Sequence, residues 1–376
     1  MNPQSLRSLV SGSCQQRDAG RYSGTMDSDL LRGLAALVLG PAGVNASAGA
    51  SLSVQDYSHP TELAAVIRDE ADSRGMSPTP HEPPSHIVIV KWWTDAGGDI
   101  GGSPRHFLGG WPSAQTVVTA PTDDWAQGAG GGNPDVFLSA LRTAYRLDQP
   151  DPEAAWTKRH DFLNEVKANL TALSIRSLHF EGAGGMTDLT VPLASSSIWN
   201  SGRVHTRDGI PFVPNLPCEE IFAAPDWRAV RGKALISRPF RWGSGSADGG
   251  ELTAIFKGAD GVEIPDAPQT LIDALGRDLD AVRIGEVALV DGDSAAASSG
   301  LDGFRETILD ENCGSHLAFG SALPMSYTDP AADDVHRVGN HLDFVIGTAD
   351  MVVTADTGEG ELVLLNHGRW ADEVTP

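Results

Sequence analysis

The run Arg283–Val290, RIGEVALV, places the tightest limit on how this 376-residue chain can fold. Beyond Arg283 and Glu286 it is apolar, the pattern of a strand covered on both faces. A carboxylate inside such a strand must be paired or metal-bound, and Arg283 is the non-metal partner at hand. A related stretch runs from Asp310 to Gly347: DENCGSHLAFG, an irregular polar segment, then GNHLDFVIG. His341 and Asp343 are two apart and flanked by Leu342, Phe344, Val345 and Ile346, so in a strand they project to one face. His316 opens the apolar run Leu317-Ala318-Phe319. Two imidazoles and a carboxylate on ordered backbone can hold a metal ion. A fourth segment, PCEEIF, sets Glu219 and Glu220 between Pro217-Cys218 and the apolar pair Ile221-Phe222. Burying two unpaired carboxylates is costly, so taken alone it reads as a solvated turn.

Composition narrows the partners. A formal charge of −23 argues against nucleic acid, since phosphate binding needs a basic surface, and suits attraction of a free amine. No apolar run approaches the ~18–20 residues that cross a bilayer, so no membrane association is expected. The first 25 residues lack the apolar core of a signal peptide. Residues 1–26 therefore read as a disordered leader, with Met26 as an alternative start. Cys14, Cys218 and Cys313 are odd in number and scattered, which points to a reducing, cytoplasmic setting rather than a disulfide framework.

Along the chain, the leucines of 27–41 after an Asp cap predict a helix. Alternation predicts a strand at Ser51–Val54, then a helix from about Pro60 to Ser73 and a strand over His86–Trp93. That order predicts a parallel sheet. Residues 97–133 are glycine-rich and read as loops around a short strand Thr116–Val118. The glycine run lacks the Lys-Ser/Thr ending of a phosphate loop. Helices are expected at 134–147, 152–172 and 267–283, with short strands and turns from Ile175. The expected fold is an α/β N-terminal domain (27–172) followed by an α+β metal-binding C-terminal domain (173–376).

Taken together and in order, NLPCEEIFAAPD, RIGEVALVD, TILDENCGSHLAFG and NHLDFVIG resemble the metal-binding segments of the thermophilic-type metallo-aminopeptidase family, the aminopeptidase T and S group. LHFEGAGGMTDLTVPL and LLNHGRW extend the resemblance over roughly 175–370. It implies Glu220, Glu286, His316, His341 and Asp343 as ligands of two divalent ions (zinc, cobalt or manganese), a small peptide or amino-acid-derived substrate, and a homodimer. Glu219 and Glu311 become candidates to bind the substrate amine or support the ligands. The family's active-centre tyrosine falls at Leu323, with Tyr327 as a substitute if the loop is rearranged. Cys218 stands where the family has Thr or a small polar residue, either as a small hydrophobe or as a thiolate ligand. The fold also resembles 2,5-dihydroxypyridine dioxygenases, for which one Fe(II) on His316, His341 and Asp343 is the alternative. A metal-free binding protein is the third reading, and the missing tyrosine favours a specialised role.

Overall fold

The computed structural model describes residues 27–57, 60–78, 84–93, 111–129, 131, 133–242, 245–265, 267–275, 282–339 and 341–376. The expected leader, the GGDIGG stretch and part of the GAGGGN run lie outside these residues. No described helix is long and apolar enough to cross a membrane.

The first sheet is wholly parallel, in the order Asn215–Leu216, Ala114–Ala120, His86–Trp92, Ser51–Tyr57, Ser77–Pro78. Local chemistry sets the helices around it. Asp27 accepts from Asp29 and Leu30 at the start of Ser28–Leu39, whose leucines are buried. Thr61 caps Glu62–Ser73. Asn133 and Asp151 cap helices that open with Pro134 and Pro152, where a missing N–H costs nothing. The helices Pro134–Ala144 and Pro152–Ala172 match expectation closely. Asp123–Ala129 is a helix where glycine content had suggested a loop, because Thr122 accepts from Trp125 N–H and Trp125 is buried.

Two antiparallel sheets form the second core. One runs His341–Val345, His316–Gly320, Ile284–Leu289, Ile221–Ala223, Asn200–Ser201. The other has eight strands, from Val262–Glu263 through Ser177–Gly182 to Arg369–Trp370. Their inner faces share one cluster that includes Ile221, Val287, Leu317, Phe319 and Phe344 with Phe180, Leu189, Ala254 and Val353. Phe319 and Phe344 stack with centroids 4.3 Å apart directly behind the candidate residues. The described part of the expected 267–283 helix is Gln269–Leu275.

The two cores interlock. Leu163, Val166 and Leu170 of the Pro152–Ala172 helix pack in the second cluster, while Phe304, Leu309 and Cys313 pack in the first. Asn215–Leu216 returns to the edge of the parallel sheet just before Pro217-Cys218-Glu219-Glu220.

Candidate metal centre

Strand parity brings the candidates to one face of the five-stranded sheet. In the register, Glu286 lies opposite Ala318, and Ala318 opposite Asp343. His316 pairs with Ala288 and His341 with Gly320. The residues alternating with them, Val287, Leu317, Phe319, Leu342 and Phe344, fill the core. Ala318 thus separates two carboxylates with the smallest side chain that still suits a strand. The register shifts between Ile284 and Glu286, so Ile284 stays in the core while Glu286 turns to the opposite face. The intervening Gly285 makes this possible: a Cβ there would lie 2.4 Å from Gly320 O and 2.5 Å from Ala322 N.

Glu220 joins from the segment before Ile221–Ala223. His316 Nε2 is 3.0 Å from Glu220 Oε2 and 3.6 Å from Glu286 Oε1. His341 Nε2 is 3.8 Å from Glu286 Oε2 and 3.1 Å from Asp343 Oδ1. Two donor sets result, Glu220–Glu286–His316 and Glu286–His341–Asp343, each with its atoms within 4.8 Å of one another. Glu286 belongs to both. Arg283, the non-metal alternative, stacks over Trp227 at 4.7 Å and bonds to Ala259 O and Val282 O.

The imidazoles are oriented from behind. His341 Nδ1 donates to Ser321 O at 2.7 Å and His316 Nδ1 to Gly314 O at 3.4 Å. This turns each Nε2 towards the cluster, the orientation of metal-ligating histidines. Glu286 Oε2, His316 Nε2 and Asp343 Oδ1 are buried without a hydrogen-bond partner. Buried polar atoms of that kind are rare in finished interiors, and cations held there would satisfy all three.

Electrostatics agree. Burial disfavours charge on His341, yet the Asp343 and Glu286 carboxylates hold its pKa up to about 10. His316 is likewise raised well above the usual imidazole range by Glu220, Glu286 and Asp343 against the effect of burial. Burial pushes Glu286 up, opposed by His316. Asp343 is lowered, since His341 and His316 outweigh its burial. Protons here hold the positive charge that divalent ions would hold, so the donor set fits metal.

The remaining sequence candidates separate. Glu311 is buried, and burial together with the Asp343 and Glu220 charges raises its pKa well above the carboxylate range. Glu219 is no solvated turn residue: it is fully buried, and Arg146 and Arg159 bind its Oε2 at 2.7 and 2.5 Å while Ala295 N–H binds Oε1 at 2.7 Å. Its carboxylate is engaged away from the five-residue cluster. Tyr327 packs its ring with Ala194, Ala224, Ala322 and Val335. Burial and the Glu220 and Glu311 charges push the Cys218 thiol up. Cys313 donates to Leu309 O at 3.4 Å.

Sequence reasoning missed the residues that hold the Pro217–Glu220 segment. Asn312 Oδ1 accepts from Glu219 N–H at 2.5 Å, and its Nδ2 donates to Ile308 O and Pro217 O. Arg159 bridges Glu219 and Asp291. The signal for Asn312 was a polar residue crowded into LDENCGS. For Arg159 there was none, because a polar residue on a helix reads as a solvent face.

Comparison with known proteins agrees with this geometry. The family model described as thermophilic metalloprotease (M29) matches residues 113–370, a span containing every candidate above. The chain is 36% identical over 269 residues to Aminopeptidase T of Thermus aquaticus, covering 68% of this chain and 65% of that protein. It is 32% identical over 275 residues to Aminopeptidase 2 of Geobacillus stearothermophilus, covering 69% and 65%. The chain thus spans 65% of the length of these curated relatives. The structure of wild-type AmpT from Thermus thermophilus superposes with a TM-score of 0.71 at 26% identity, covering 91% of this chain and 99% of that one.

Proposed function

The chain belongs to the thermophilic metalloprotease (M29) family, and from that premise we propose that it is a metal-dependent aminopeptidase. Its substrate is a small peptide or amino-acid derivative, cleaved at the amide next to a free amino end. The observation that carries this reading is the meeting of two three-residue donor sets at Glu286. Glu286 is common to both sites, Glu220 and His316 complete one, and His341 and Asp343 complete the other. A pair of zinc, cobalt or manganese ions held there would supply an activated water near neutral pH and positive charge for the scissile carbonyl oxygen.

The chain's own residues do the rest. Backbone carbonyls fix both imidazoles with Nε2 forward. Glu311, buried beside the Glu220 and Asp343 carboxylates, takes the proton that the attacking water gives up and passes it to the departing amine. Glu219, tied to two arginines, acts by fixing the backbone of Glu220. The same reading takes residues 27–172 and 173–376 as the main parts of two domains that exchange segments, Asn215–Leu216 among them, and the protein as a cytoplasmic homodimer.

The experiment is hydrolysis of amino-acyl p-nitroanilides by purified chain before and after chelation, with metal content measured in parallel. Chelator-sensitive release of nitroaniline, restored by zinc, cobalt or manganese, is the expected result. One iron per chain with oxygen consumption on a hydroxylated ring would favour the dioxygenase instead.

A further inference from the structure

Glu220 has a neighbour that the reaction scheme leaves unused. Cys218, two residues earlier and buried, donates its Sγ–H to Glu220 Oε1 at 3.3 Å. The other oxygen, Oε2, lies 3.0 Å from His316 Nε2. One carboxylate oxygen thus faces the thiol while the other faces the ligand imidazole.

The surroundings keep this geometry in place without help from Glu220. Glu219 N–H is held by Asn312 Oδ1 at 2.5 Å, and Pro217 O by Asn312 Nδ2 at 3.3 Å. His160 Nε2 donates to Cys218 O at 3.3 Å. Gly202 makes the space for sulfur, since a Cβ there would fall 2.6 Å from Sγ. The backbone around Cys218 is therefore pinned, and the thiol has a fitted seat beside the carboxylate. The other buried cysteine among the described residues, Cys313, donates instead to the backbone carbonyl of Leu309.

We propose that Cys218 is a positioning residue for the metal centre: its hydrogen bond to Oε1 fixes the carboxylate of Glu220 so that Oε2 is presented to the ion. A thiol is a weak donor, but one aimed at a charged acceptor in a buried site is worth more than in water. It also occupies the oxygen that would otherwise let Glu220 rotate or bind through both atoms. This inference rests on the reading of the five residues as a metal centre.

The test is titration of the chelator-treated full chain with Co(II), read by competition with a metallochromic indicator, for wild type, Cys218→Val and Cys218→Thr. Loss of an outer hydrogen bond to a ligand typically weakens affinity about 10–100-fold. We expect a loss of about ten-fold or more in Cys218→Val and near wild-type affinity in Cys218→Thr, which keeps a donor. Cys218→Ala, which adds no bulk, serves if valine prevents folding. Wild-type affinity in the donor-free variants overturns the proposal, as does equal weakening in Cys218→Thr. An intense sulfur-to-cobalt charge-transfer band in the wild type overturns it too, by making Cys218 a ligand. A wild type that binds no cobalt removes the metal-centre reading itself, whereas normal binding in wild type and Cys218→Ala removes only the role of Cys218.

Discussion

Lys91 and Glu306, 215 positions apart, meet at 2.7 Å with both side chains buried. Lys91 is the penultimate residue of the strand His86–Trp92 in the parallel sheet, and Glu306 caps the short helix Thr307–Asp310 that leads into Glu311 and His316. Two indoles grip the same segment: Trp125 Nε1 donates to Phe304 O at 2.6 Å and Trp93 Nε1 to Arg305 O at 2.9 Å. The sheet thereby holds the base of the turn that presents a candidate acid and a candidate ligand. Removing one partner of a buried ion pair leaves the other charge uncompensated, at a cost of about 3–5 kcal/mol. Lys91→Met should lose stability on that scale in chemical denaturation, and adding Glu306→Gln should recover part of it. A single variant within about 0.5 kcal/mol of wild type, the range of ordinary surface substitutions, would show that the pair carries no weight.

The shared position of Glu286 predicts an asymmetry in metal content. Glu286→Ala should retain no tightly held ion after dialysis. Glu220→Ala and Asp343→Ala, each confined to one donor set, should retain one. Elemental analysis decides it, and equal retention in all three variants would contradict a common corner at Glu286.

His160 predicts an acid-sensitive limb of stability. It is buried against Trp156, and burial, aided by the charges of Arg203, Arg159 and Arg146, lowers its pKa to about 3. The unfolded chain protonates this ring below about pH 6.5, while the folded chain does so only near pH 3. Between those values the unfolded state binds one more proton, so stability falls with falling pH by up to about 1.4 kcal/mol per unit. His160→Gln keeps a donor towards Cys218 O without a titrating ring. Denaturation series from neutral to acid pH should show a shallower decline for the variant; parallel declines would refute the assignment.

Leu323, with Ser326, opens a short turn through Ser326 N–H to Leu323 O at 2.9 Å. An alkyl group there can neither bind metal nor donate to a carbonyl oxygen. If a phenol is what the site lacks, Leu323→Tyr should raise kcat on amino-acyl p-nitroanilides with metal content unchanged. A variant that binds metal normally and gains nothing would place the deficit elsewhere.

What the sequence disclosed of the site follows from which forces act locally. His341 and Asp343 were legible because strand parity needs no tertiary knowledge. Glu286 was legible as a carboxylate in a run too apolar to be exposed, but its direction depends on the irregularity at Gly285, and that exists only once Gly320–Ala322 packs against it. PCEEIF misled when taken alone. Its two carboxylates are both buried, and the arginines that make this tolerable for Glu219 come from 73 and 60 positions away. The Asp123–Ala129 helix was hidden by neighbouring glycines, since a seven-residue helix is supported mainly by its buried Trp125. The parallel sheet was readable from strand–helix–strand order, whereas its fifth strand, Asn215–Leu216, joins from nearly a hundred residues downstream of Ala114–Ala120 and leaves no local trace.

That late strand bears on how the chain can be divided. A fragment starting near residue 173 would carry Asn215–Leu216 with no neighbour, and one ending near 172 would expose the Ala114–Ala120 edge to pairing with other chains. The polypeptide crosses between its two cores more than once, so a single cut cannot separate them cleanly. Shuffling this centre onto another scaffold would require the parallel sheet to travel with it.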